Sequence, residues 1–396
     1  MEILHVIDSL DPARGGPQVV VPSLAAAQAA LGCRVRILSS WPATSEAEIR
    51  RRLTEIPASE KVEIVKLDPP ALLEQFIPLK ARRLLADLVA RDTFVHLHGV
   101  WEPLLWVAAR TARSRGAPYA VRLCGILQPG QMNRYRLAKK IAFLLGARRM
   151  LHEAAFIHAL TEAEARFARQ YTGRTPIEVI PNGVFIEKYR TPPPSGSFHR
   201  RHPELAGHPY ILFLSRLHYH KGVMCLAEAY ERLTARLPQV HLVFAGPDGG
   251  EMGRLKRKVT LAGLADRVHI VGPVYGEEKA AAYAAAACFC LPSRSEGMSN
   301  AVLEALAFGV PVVLSEECHW PEVAAAGAGE IVARNPDAVA TALLRILGDE
   351  RRRKAMSAAA RHLIEEKYNW PAIAQKTLAA YEKAAGRKKI ANNREP

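Results

Sequence analysis

A short apolar strand that runs through a glycine-containing loop into a helix is the sequence feature that most limits the fold. The clearest copy begins with Cys288-Phe-Cys-Leu-Pro292, a run typical of a short buried strand. A loop with Gly297 follows, and Ala301-Val-Leu-Glu-Ala-Leu-Ala-Phe308 predicts a helix with Ser299 or Asn300 as its N-cap. Strands that alternate with helices in this way predict a parallel sheet of the α/β class.

The same pattern occurs in both halves of the chain. We predict strands at 3–7, 34–38, 62–67, 94–98, 119–123, 154–160 and 177–180, and again at 210–214, 241–245 and 288–292. Residues 190–209 carry five prolines and few large apolar side chains, which predicts a linker. With 396 residues, the chain is too long for one ordinary core. We therefore expect two doubly wound, Rossmann-like α/β domains, 1–189 and 210–371, with a helix at about 372–386 that packs back on the first.

Composition narrows the class of protein. The chain is 49% hydrophobic and 23% charged, and its longest apolar runs fall short of the roughly 18 residues of a membrane span. Its first residues enter a strand directly and its six cysteines lack zinc-type spacing, so we expect a cytoplasmic protein. The formal net charge of +15 favours anionic partners. Motifs typical of nucleic-acid binding do not accompany this charge, so we expect no nucleic-acid partner.

Two glutamates flank the start of the helix after residue 300. Glu296 lies just before this helix and Glu304 near its second turn, within an otherwise apolar sequence. A helix N-terminus suits an anion such as a pyrophosphate, whereas a carboxylate suits a vicinal diol, from which it accepts two hydrogen bonds. A sugar nucleotide combines these groups. The alternative is that Glu296 is a loop charge and Glu304 a solvated helix residue.

Two other loops are suited to phosphates. Arg216 and Lys221 lie on one strand-to-helix loop, where two fixed cations can neutralise a leaving diphosphate. Gly15 and Gly16 follow the first strand, where glycine lets a backbone N–H approach an anion. The alternatives are a basic surface loop and a tight turn.

Glu296, Gly297, Asn300, Glu304 and the following Gly309-Val-Pro-Val-Val-Leu314 together resemble a family, the retaining GT-B enzymes of glycosyltransferase family 4. That family has a Glu-x7-Glu signature in this loop and helix, and the resemblance covers nearly the whole chain. It implies two domains facing across a cleft, with the donor held mainly by the second and the acceptor by the first.

The resemblance also implies roles for individual residues. Glu296, with Gly297 and Met298, is expected to contact the transferred sugar, and Glu304 the ribose. Backbone groups at Gly272, Pro273 and Val274 are expected to line the base pocket. The expected donor phosphate ligands are Arg216, Lys221, Gly15, Gly16, Met298, Ser299 and Asn300.

One position departs from the family pattern. Much of the family has a histidine before the glycine that here is Gly125, close to the reacting sugar, whereas this chain has Cys124. A thiol donates weakly and does not share a proton as imidazole does, so we expect the change to alter turnover, donor choice or both. The alternative is a small buried cysteine without a chemical role. His98 is a second candidate, since it ends a predicted strand where ligands usually bind. His96 shares its face, and the alternative for both is a structural histidine.

A basic segment at 134–149 suggests a membrane contact. Acidic residues are absent from Gly125 to His152, and the apolar side chains fall on one face of a helix: Leu137, Ile141, Leu144 and Leu145. Such a helix can lie on an anionic membrane. The alternative is a helix packed on the core with a solvated basic face.

We therefore predict a retaining hexosyltransferase that moves sugar from a UDP- or GDP-sugar to a hydroxyl of a glycan or lipid-linked acceptor, in the synthesis of cell-envelope polysaccharide or lipid-linked oligosaccharide. We expect no cofactor and no metal, because an Asp-x-Asp site is not evident. Peripheral association with the inner face of the plasma membrane is part of this prediction. The alternatives are a catalytically silent sugar-nucleotide-binding protein, suggested by Cys124, and a sugar-nucleotide epimerase of similar fold.

Overall fold

The computed structural model describes residues 1–11, 15–69, 78–133, 135–191, 193 and 196–392, the last six of them by backbone alone. The chain divides into two compact units. The first comprises Met1–Gly183 and Trp370–Pro396, and the second Val184–Asn369.

Each unit is built on a parallel sheet. Within the described residues, the first sheet has seven strands: β1 (Glu2–Ser9), β2 (Arg34–Ser40), β3 (Val62–Leu67), β4 (Thr93–His98), β5 (Tyr119–Arg122), β6 (Phe156–Ala159) and β7 (Ile177–Val179). The second, counted over the same part of the chain, has six: β8 (Tyr210–Leu214), β9 (His241–Ala245), β10 (Val268–Gly272), β11 (Cys288–Leu291), β12 (Val312–Ser315) and β13 (Gly329–Val332).

The helices between these strands are, in chain order, α1 (Pro17–Ala30), α2 (Glu46–Thr54), α3 (Leu79–Leu88), α4 (Pro103–Ser114), α5 (Pro129–Met132), α6 (Arg136–Ala142), α7 (Arg148–His152), α8 (Glu162–Thr172), α9 (Glu187–Arg190), α10 (Ser197–Arg201), α11 (Val223–Leu233), α12 (Met252–Leu261), α13 (Gly276–Ala285), α14 (Asn300–Ala307), α15 (Glu322–Ala325), α16 (Pro336–Leu347), α17 (Glu350–Lys367) and α18 (Trp370–Asn392). A π-helical turn, Phe143–Ala147, joins α6 to α7.

Both sheets are doubly wound, as predicted. The strand order is β3-β2-β1-β4-β5-β6-β7 in the first and β10-β9-β8-β11-β12-β13 in the second. The order reverses between β1 and β4, and again between β8 and β11. In open parallel sheets, ligands bind beyond the carboxyl ends of the strands at such a reversal. The two reversals therefore indicate where each unit holds its ligand.

The segment predicted as a linker, 190–209, contains helical structure. Helix α10 (Ser197–Arg201) and a short 3-10 turn (Pro203–Leu205) lie within it, and Phe198 and Leu205 are buried in the core of the second unit. The polar sequence around these two apolar side chains concealed their burial. Pro192, Pro194 and Ser195 lie outside the described residues.

The C-terminal helix and the last strand complete the fold. Helix α18 belongs to the first unit, where it packs against α1. Strands β10, β12 and β13 were not among the predicted strands, and β13 pairs with β12 at the edge of the second sheet. Within the described parts of the chain, no helix combines the length and apolar character needed to cross a membrane.

Candidate functional site

The reversal in the second sheet brings together the predicted donor residues of this unit. Strand β8 ends at Leu214 and leads into the loop of Arg216 and Lys221, while the adjacent β11 ends at Leu291 and leads into the loop of Glu296. Parallel neighbours end at the same edge of a sheet. Two loops separated by about 75 residues in sequence are therefore adjacent in space.

Lys221 and Glu296 are in direct contact. The Lys221 Nζ donates to Glu296 Oε1 at 2.6 Å, and the Ser293 hydroxyl donates to the same oxygen at 2.7 Å. Glu296 is buried, and its backbone N–H donates to the Glu317 carbonyl at 3.2 Å. The predicted phosphate-binding cation and the predicted sugar-binding carboxylate therefore form one partly buried ion pair.

Gly222 permits this contact between the loops. Its φ is +77°, and a Cβ built on it would lie 1.9 Å from the Pro292 carbonyl oxygen. A side chain at this position would push apart the two loops that carry Lys221 and Glu296. The backbone N–H of Arg294 also donates to the His220 carbonyl, at 2.7 Å, which joins the same two loops.

Arg216 differs from Lys221 in its surroundings. Its side chain is exposed, and among the described residues no carboxylate lies within ion-pair distance of the guanidinium. Gly249 lies close beside it, since a Cβ there would meet Arg216 Cγ at 2.9 Å. Arg216 is thus an accessible cation on the loop that follows β8.

Helix α14 carries Glu304. Ser299 is its N-cap residue, and the side chain of Ser299 makes no capping hydrogen bond to the helix in the described structure. Gly297, Met298 and Asn300 lie beside it in the same segment, all partly exposed. The N-terminus of α14 therefore lies in the segment whose residues we predicted to bind the donor phosphates.

Glu304 has a partner that the sequence did not reveal. Lys279 on α13 donates to Glu304 Oε1 at 2.7 Å, and the carboxylate is 17% exposed. Two phenols, the partly buried Tyr189 and the buried Tyr283, have pKa values well above the usual one, mainly through burial and further through the nearby Glu304 carboxylate. Glu304 is thus held in place rather than solvated.

The predicted base pocket lies at the end of β10. Gly272 has a φ of +78° and its carbonyl accepts from the Gly246 N–H at 2.8 Å. Pro273 is exposed, whereas Val274 is buried in the core of the second unit. The side chain of Val274 therefore packs inward.

Gly15 and Gly16 precede α1 in the first unit. Gly15 has a φ of +128°, which residues with a side chain rarely adopt, and no atom lies within 4 Å of its built Cβ. Gly16 is the N-cap residue of α1, and Pro17 opens the helix. These positions suit a loop through which the backbone approaches a ligand.

Cys124 is held in an unusual backbone conformation. Its φ is +56°, a left-handed value that is uncommon in residues other than glycine. Burial raises the pKa of its thiol to about 12. The thiol therefore stays protonated at neutral pH and is a poor nucleophile. The buried Glu164 fixes this turn by accepting from the N–H groups of Gly125 and Leu160.

His98 lies at the reversal of the first sheet, at the carboxyl end of β4. It belongs to a cluster with His5 and His96, whose ring nitrogens lie within 4.8 Å of one another, an arrangement able to hold a metal ion. Beside it on β5, Arg122 is 2% exposed and donates to the side-chain oxygen of Asn182. The expectation that the chain needs no metal stays a prediction.

Two family models match this sequence. The model described as "Glycosyl transferase 4-like domain" matches residues 15–183, and that described as "Glycosyl transferases group 1" matches residues 196–363. The chain belongs to the group 1 glycosyl transferases of the family 4 type. The predicted family is thereby confirmed, and each model falls within one of the two units.

Several curated relatives of this group 1 transferase are named as mannosyltransferases. A GDP-mannose-dependent alpha-(1-6)-phosphatidylinositol monomannoside mannosyltransferase of Mycolicibacterium smegmatis is 32% identical to this chain in the matched region. The match covers 52% of this chain and 56% of that relative, so the chain spans little more than half of the relative's length. A phosphatidyl-myo-inositol mannosyltransferase of Mycobacterium leprae is 27% identical over 94% of each chain.

Solved structures share the fold of this group 1 transferase. HepE of Anabaena, in complex with UDP and glucose, has a TM-score of 0.77 and 21% identity, over 97% of this chain and 100% of that one. Sucrose-phosphate synthase of Thermosynechococcus elongatus has a TM-score of 0.75 and 20% identity, over 97% of this chain and 99% of that one. These likenesses confirm the GT-B fold.

Sequence reasoning missed several residues of the site in this transferase. Lys279, Ser293, Arg122 and Glu164 all contact or adjoin predicted site residues. Glu164 offered one signal, since Thr161 and Glu164 have the spacing of a capping motif. The others depend on contacts between distant parts of the chain.

Proposed function

We propose that this chain is a retaining mannosyltransferase that moves a mannosyl group from GDP-mannose to a hydroxyl of a lipid-linked acceptor. The observation that carries the transfer chemistry is the contact between Lys221 and Glu296 beyond β8 and β11. The names of the relatives support GDP-mannose as donor.

The proposed roles follow from charge and position. Lys221 and Arg216 bind the diphosphate and stabilise the negative charge that develops on the leaving group. Glu296, which accepts two hydrogen bonds in the structure, accepts them from sugar hydroxyls when the donor is bound. Glu304 accepts from the ribose hydroxyls, while Lys279 fixes the direction of its carboxylate.

The remaining predicted contacts belong to the same proposal. Gly15 and Gly16 approach the phosphates by their backbone, and α14 directs its N-terminus at them. In this proposal Glu296 holds the sugar by accepting hydrogen bonds from its hydroxyls, and it does not attack the anomeric carbon. In this proposal the acceptor attacks from the face that the diphosphate leaves, and the leaving phosphate takes the acceptor proton.

Thermal unfolding with GDP, UDP, ADP, dTDP and their sugar nucleotides tests the donor. We expect GDP and GDP-mannose to raise the melting temperature, since a ligand at about 100 times its Kd adds roughly 2.7 kcal/mol to the folded state. Stabilisation by UDP-glucose alone would replace the proposed donor. Conversion of the donor without an acceptor would indicate an epimerase, and binding without turnover a silent protein.

The Glu304→Ala variant tests the ribose contact. We expect its affinity for GDP to fall roughly 10- to 100-fold, since a hydrogen bond to a charged group contributes about 1.5–3 kcal/mol. Glu330→Ala is the control, because Glu330 is a similarly buried carboxylate of the same unit that pairs with Arg345 and Arg352. Calorimetry with folded protein measures both affinities. An unchanged affinity in Glu304→Ala would exclude the ribose role.

An exposed apolar face supports a lipid-linked acceptor. Four apolar side chains of the 136–147 segment lie in solvent: Leu137 is 73% exposed, Ile141 48%, Leu144 84% and Leu145 71%. The alternative of a core-packed face is therefore wrong for these side chains. Basic residues flank them: Arg136, Lys139, Lys140, Arg148 and Arg149. Arg134 lies outside the described residues. We propose that this face binds an anionic lipid surface.

Replacing Leu144 and Leu145 with Glu tests the membrane contact. A fully buried leucine side chain contributes about 1.5–3 kcal/mol, so the double variant is expected to bind phosphatidylglycerol vesicles at least tenfold more weakly. Leu261→Glu is the control, because Leu261 is 88% exposed on the second unit. Vesicle sedimentation measures binding, with phosphatidylcholine vesicles as the uncharged comparison. Equal binding by both variants would contradict the proposal.

A further inference from the structure

A chain of hydrogen bonds fixes the protonation of four buried histidines in the first unit. It begins at the Ile180 carbonyl, which can only accept, so His158 donates to it from Nε2 at 2.7 Å. The other nitrogen of a neutral His158, Nδ1, must then accept, and His96 Nε2 donates to it at 3.3 Å. His96 Nδ1 is in turn an acceptor, and the Tyr381 hydroxyl donates to it at 2.6 Å.

The chain continues through α1 to the end of β4. The Tyr381 oxygen accepts from the Gln28 amide at 3.3 Å, which turns the Gln28 carbonyl toward His5 Nε2 at 2.7 Å. His5 therefore donates from Nε2 and accepts at Nδ1. His98 Nε2 supplies that hydrogen bond at 2.9 Å. Each donor and acceptor assignment follows from the previous one. His98 Nδ1 is therefore unprotonated and carries a lone pair that can accept a hydrogen bond.

The four imidazoles are neutral, as this assignment requires. Burial lowers the pKa of His5 to about 4 and places those of His96, His98 and His158 well below the usual value. Such a weakly basic imidazole orients a hydroxyl and is a poor base for removing its proton.

The lone pair lies beside unsatisfied donors. His98 Nδ1 is buried and has no hydrogen-bond partner among the described residues, and the same holds for Nε and Nη1 of Arg122. His98 and Arg122 are register partners on adjacent strands, and both are at least nine-tenths buried. Buried polar atoms without partners are costly, so their retention at a ligand-binding edge indicates a ligand.

We propose that His98 Nδ1 and Arg122 form a hydroxyl-binding site, in which a sugar or polyol hydroxyl donates to His98 and a neighbouring oxygen accepts from Arg122. The site lies at the reversal between β1 and β4, where a doubly wound sheet binds its ligand. His5, Gln28, His96, His158 and Tyr381 are positioning residues that hold His98 in the accepting tautomer. The inference rests on the proposed sugar transfer but not on GDP-mannose as donor.

The cluster of His5, His96 and His98 does not favour the binding of a metal ion. Of the six ring nitrogens of His5, His96 and His98, five are engaged in the hydrogen bonds described above. The nearby buried Arg122 already carries a positive charge, which lowers the pKa of each of these histidines and opposes a second cation. Metal binding is therefore an outcome that would contradict the assignment.

Nitrogen NMR of protein labelled at its 14 histidines tests the tautomer directly. We expect His98, assigned by its loss in His98→Asn, to carry its proton on Nε2 and none on Nδ1. Tyr381→Phe breaks the chain at a distance and is expected to move part of His98 to the opposite tautomer. A proton on Nδ1 in the unaltered protein, or perturbation of all three histidines by equimolar zinc, would overturn the inference.

The ligand is tested with GDP-mannose, UDP-glucose, methyl α-mannoside and myo-inositol as probes. We expect the His98 Nδ1 resonance to move with at least one of them. Movement with a sugar nucleotide alone assigns the site to the donor sugar, and movement with the small polyols assigns it to the acceptor. An unmoved resonance while thermal unfolding shows a bound sugar nucleotide would overturn the site and leave the proposed function intact. If the His98 resonance responded to UDP-glucose and GDP-mannose did not bind, the hydroxyl-binding site would stand and GDP-mannose as the proposed donor would be overturned.

Two substitutions separate ligand contact from a structural role. Asn places its amide near the Nδ1 position and can still accept, whereas Gln reaches the Nε2 position and can still donate to His5. We expect His98→Asn to retain at least tenfold more kcat/KM than His98→Gln. The opposite order would show that the bond to His5 is what matters.

Discussion

Replacing Lys221 with Met is expected to lower the rate of sugar transfer at least about 100-fold, since loss of one charge-stabilising group at a reacting centre typically costs 10²–10³ in rate. Lys221 is the cation that the structure brings against Glu296 on the adjacent loop. Its loss removes a proposed phosphate ligand and leaves a buried carboxylate without its charge partner. Steady-state kinetics with the donor identified by thermal unfolding measure the effect.

The chain offers a matched control for this variant. Lys258 on α12 pairs with Glu231, and its side chain is 30% exposed, against 29% for Lys221. Lys258→Met removes a comparable ion pair from the same unit, and surface pairs of this kind contribute about 0–1 kcal/mol. We expect it to leave the transfer rate within about twofold of the unaltered enzyme. Equal losses in both variants would show that Lys221 acts through general stability.

Gly222→Ala is expected to destabilise the second unit by about 2–5 kcal/mol, the sum of left-handed strain and overpacking. The new Cβ would lie 1.9 Å from the Pro292 carbonyl oxygen, a backbone atom that cannot turn aside. Because the shift separates the two loops at the reversal of the second sheet, we expect transfer activity to fall together with stability. Urea unfolding measures the first effect and initial rates the second.

The Gly207→Ala variant is the control that measures left-handed backbone strain without a steric clash. Gly207 has a φ of +79°, nearly that of Gly222, and no atom lies within 4 Å of its built Cβ. This control is expected to lose only the left-handed contribution of about 1–2 kcal/mol and to keep its activity. If both variants lost the same stability, the close approach of Gly222 to Pro292 would not be a real constraint.

Much of the fold could be predicted because its signals are local. Each predicted strand of the second half is an apolar run followed by a glycine-containing or basic loop, as in Tyr210–Leu214 and Cys288–Leu291. The loops that carry Arg216, Lys221 and Glu296 are predicted to bind ligand because they follow such strands, because their charges suit a sugar nucleotide, and because they resemble a known family. Their adjacency then depends on strand order, which places β8 beside β11.

The rest depends on contacts that local patterns do not encode. Lys279 and Glu304 are 25 residues apart on different helices, and nothing in either segment indicates their pairing. The hydrogen-bond chain from His158 to His98 joins five separate elements of the first unit, β6, β4, α18, α1 and β1. Phe198 and Leu205 were assigned to a linker because burial there comes from neighbours distant in sequence.

The spacing of apolar residues in the 136–147 segment did not show whether its apolar face packs on the core or lies in solvent. The exposure of the side chains in the structure answered this. Leu137, Ile141, Leu144 and Leu145 fall on one face under either interpretation, core packing or membrane contact. The structure places all four in solvent, while Phe143, between them, packs against Trp101. The apolar stripe predicted from the sequence and the residues that face inward are therefore different sets.

At the proposed donor site, the ion pair between Lys221 and Glu296 is expected to select ligands by the chemical groups they carry. A bare phosphate that draws Lys221 away strands the buried carboxylate of Glu296, and a free sugar that engages Glu296 leaves the ammonium of Lys221 without its counter-charge. Only a molecule that carries both an anionic diphosphate and a polyhydroxylated ring compensates both groups at once. We therefore expect inorganic phosphate and free sugars to bind at the proposed donor site more weakly than a nucleotide sugar does.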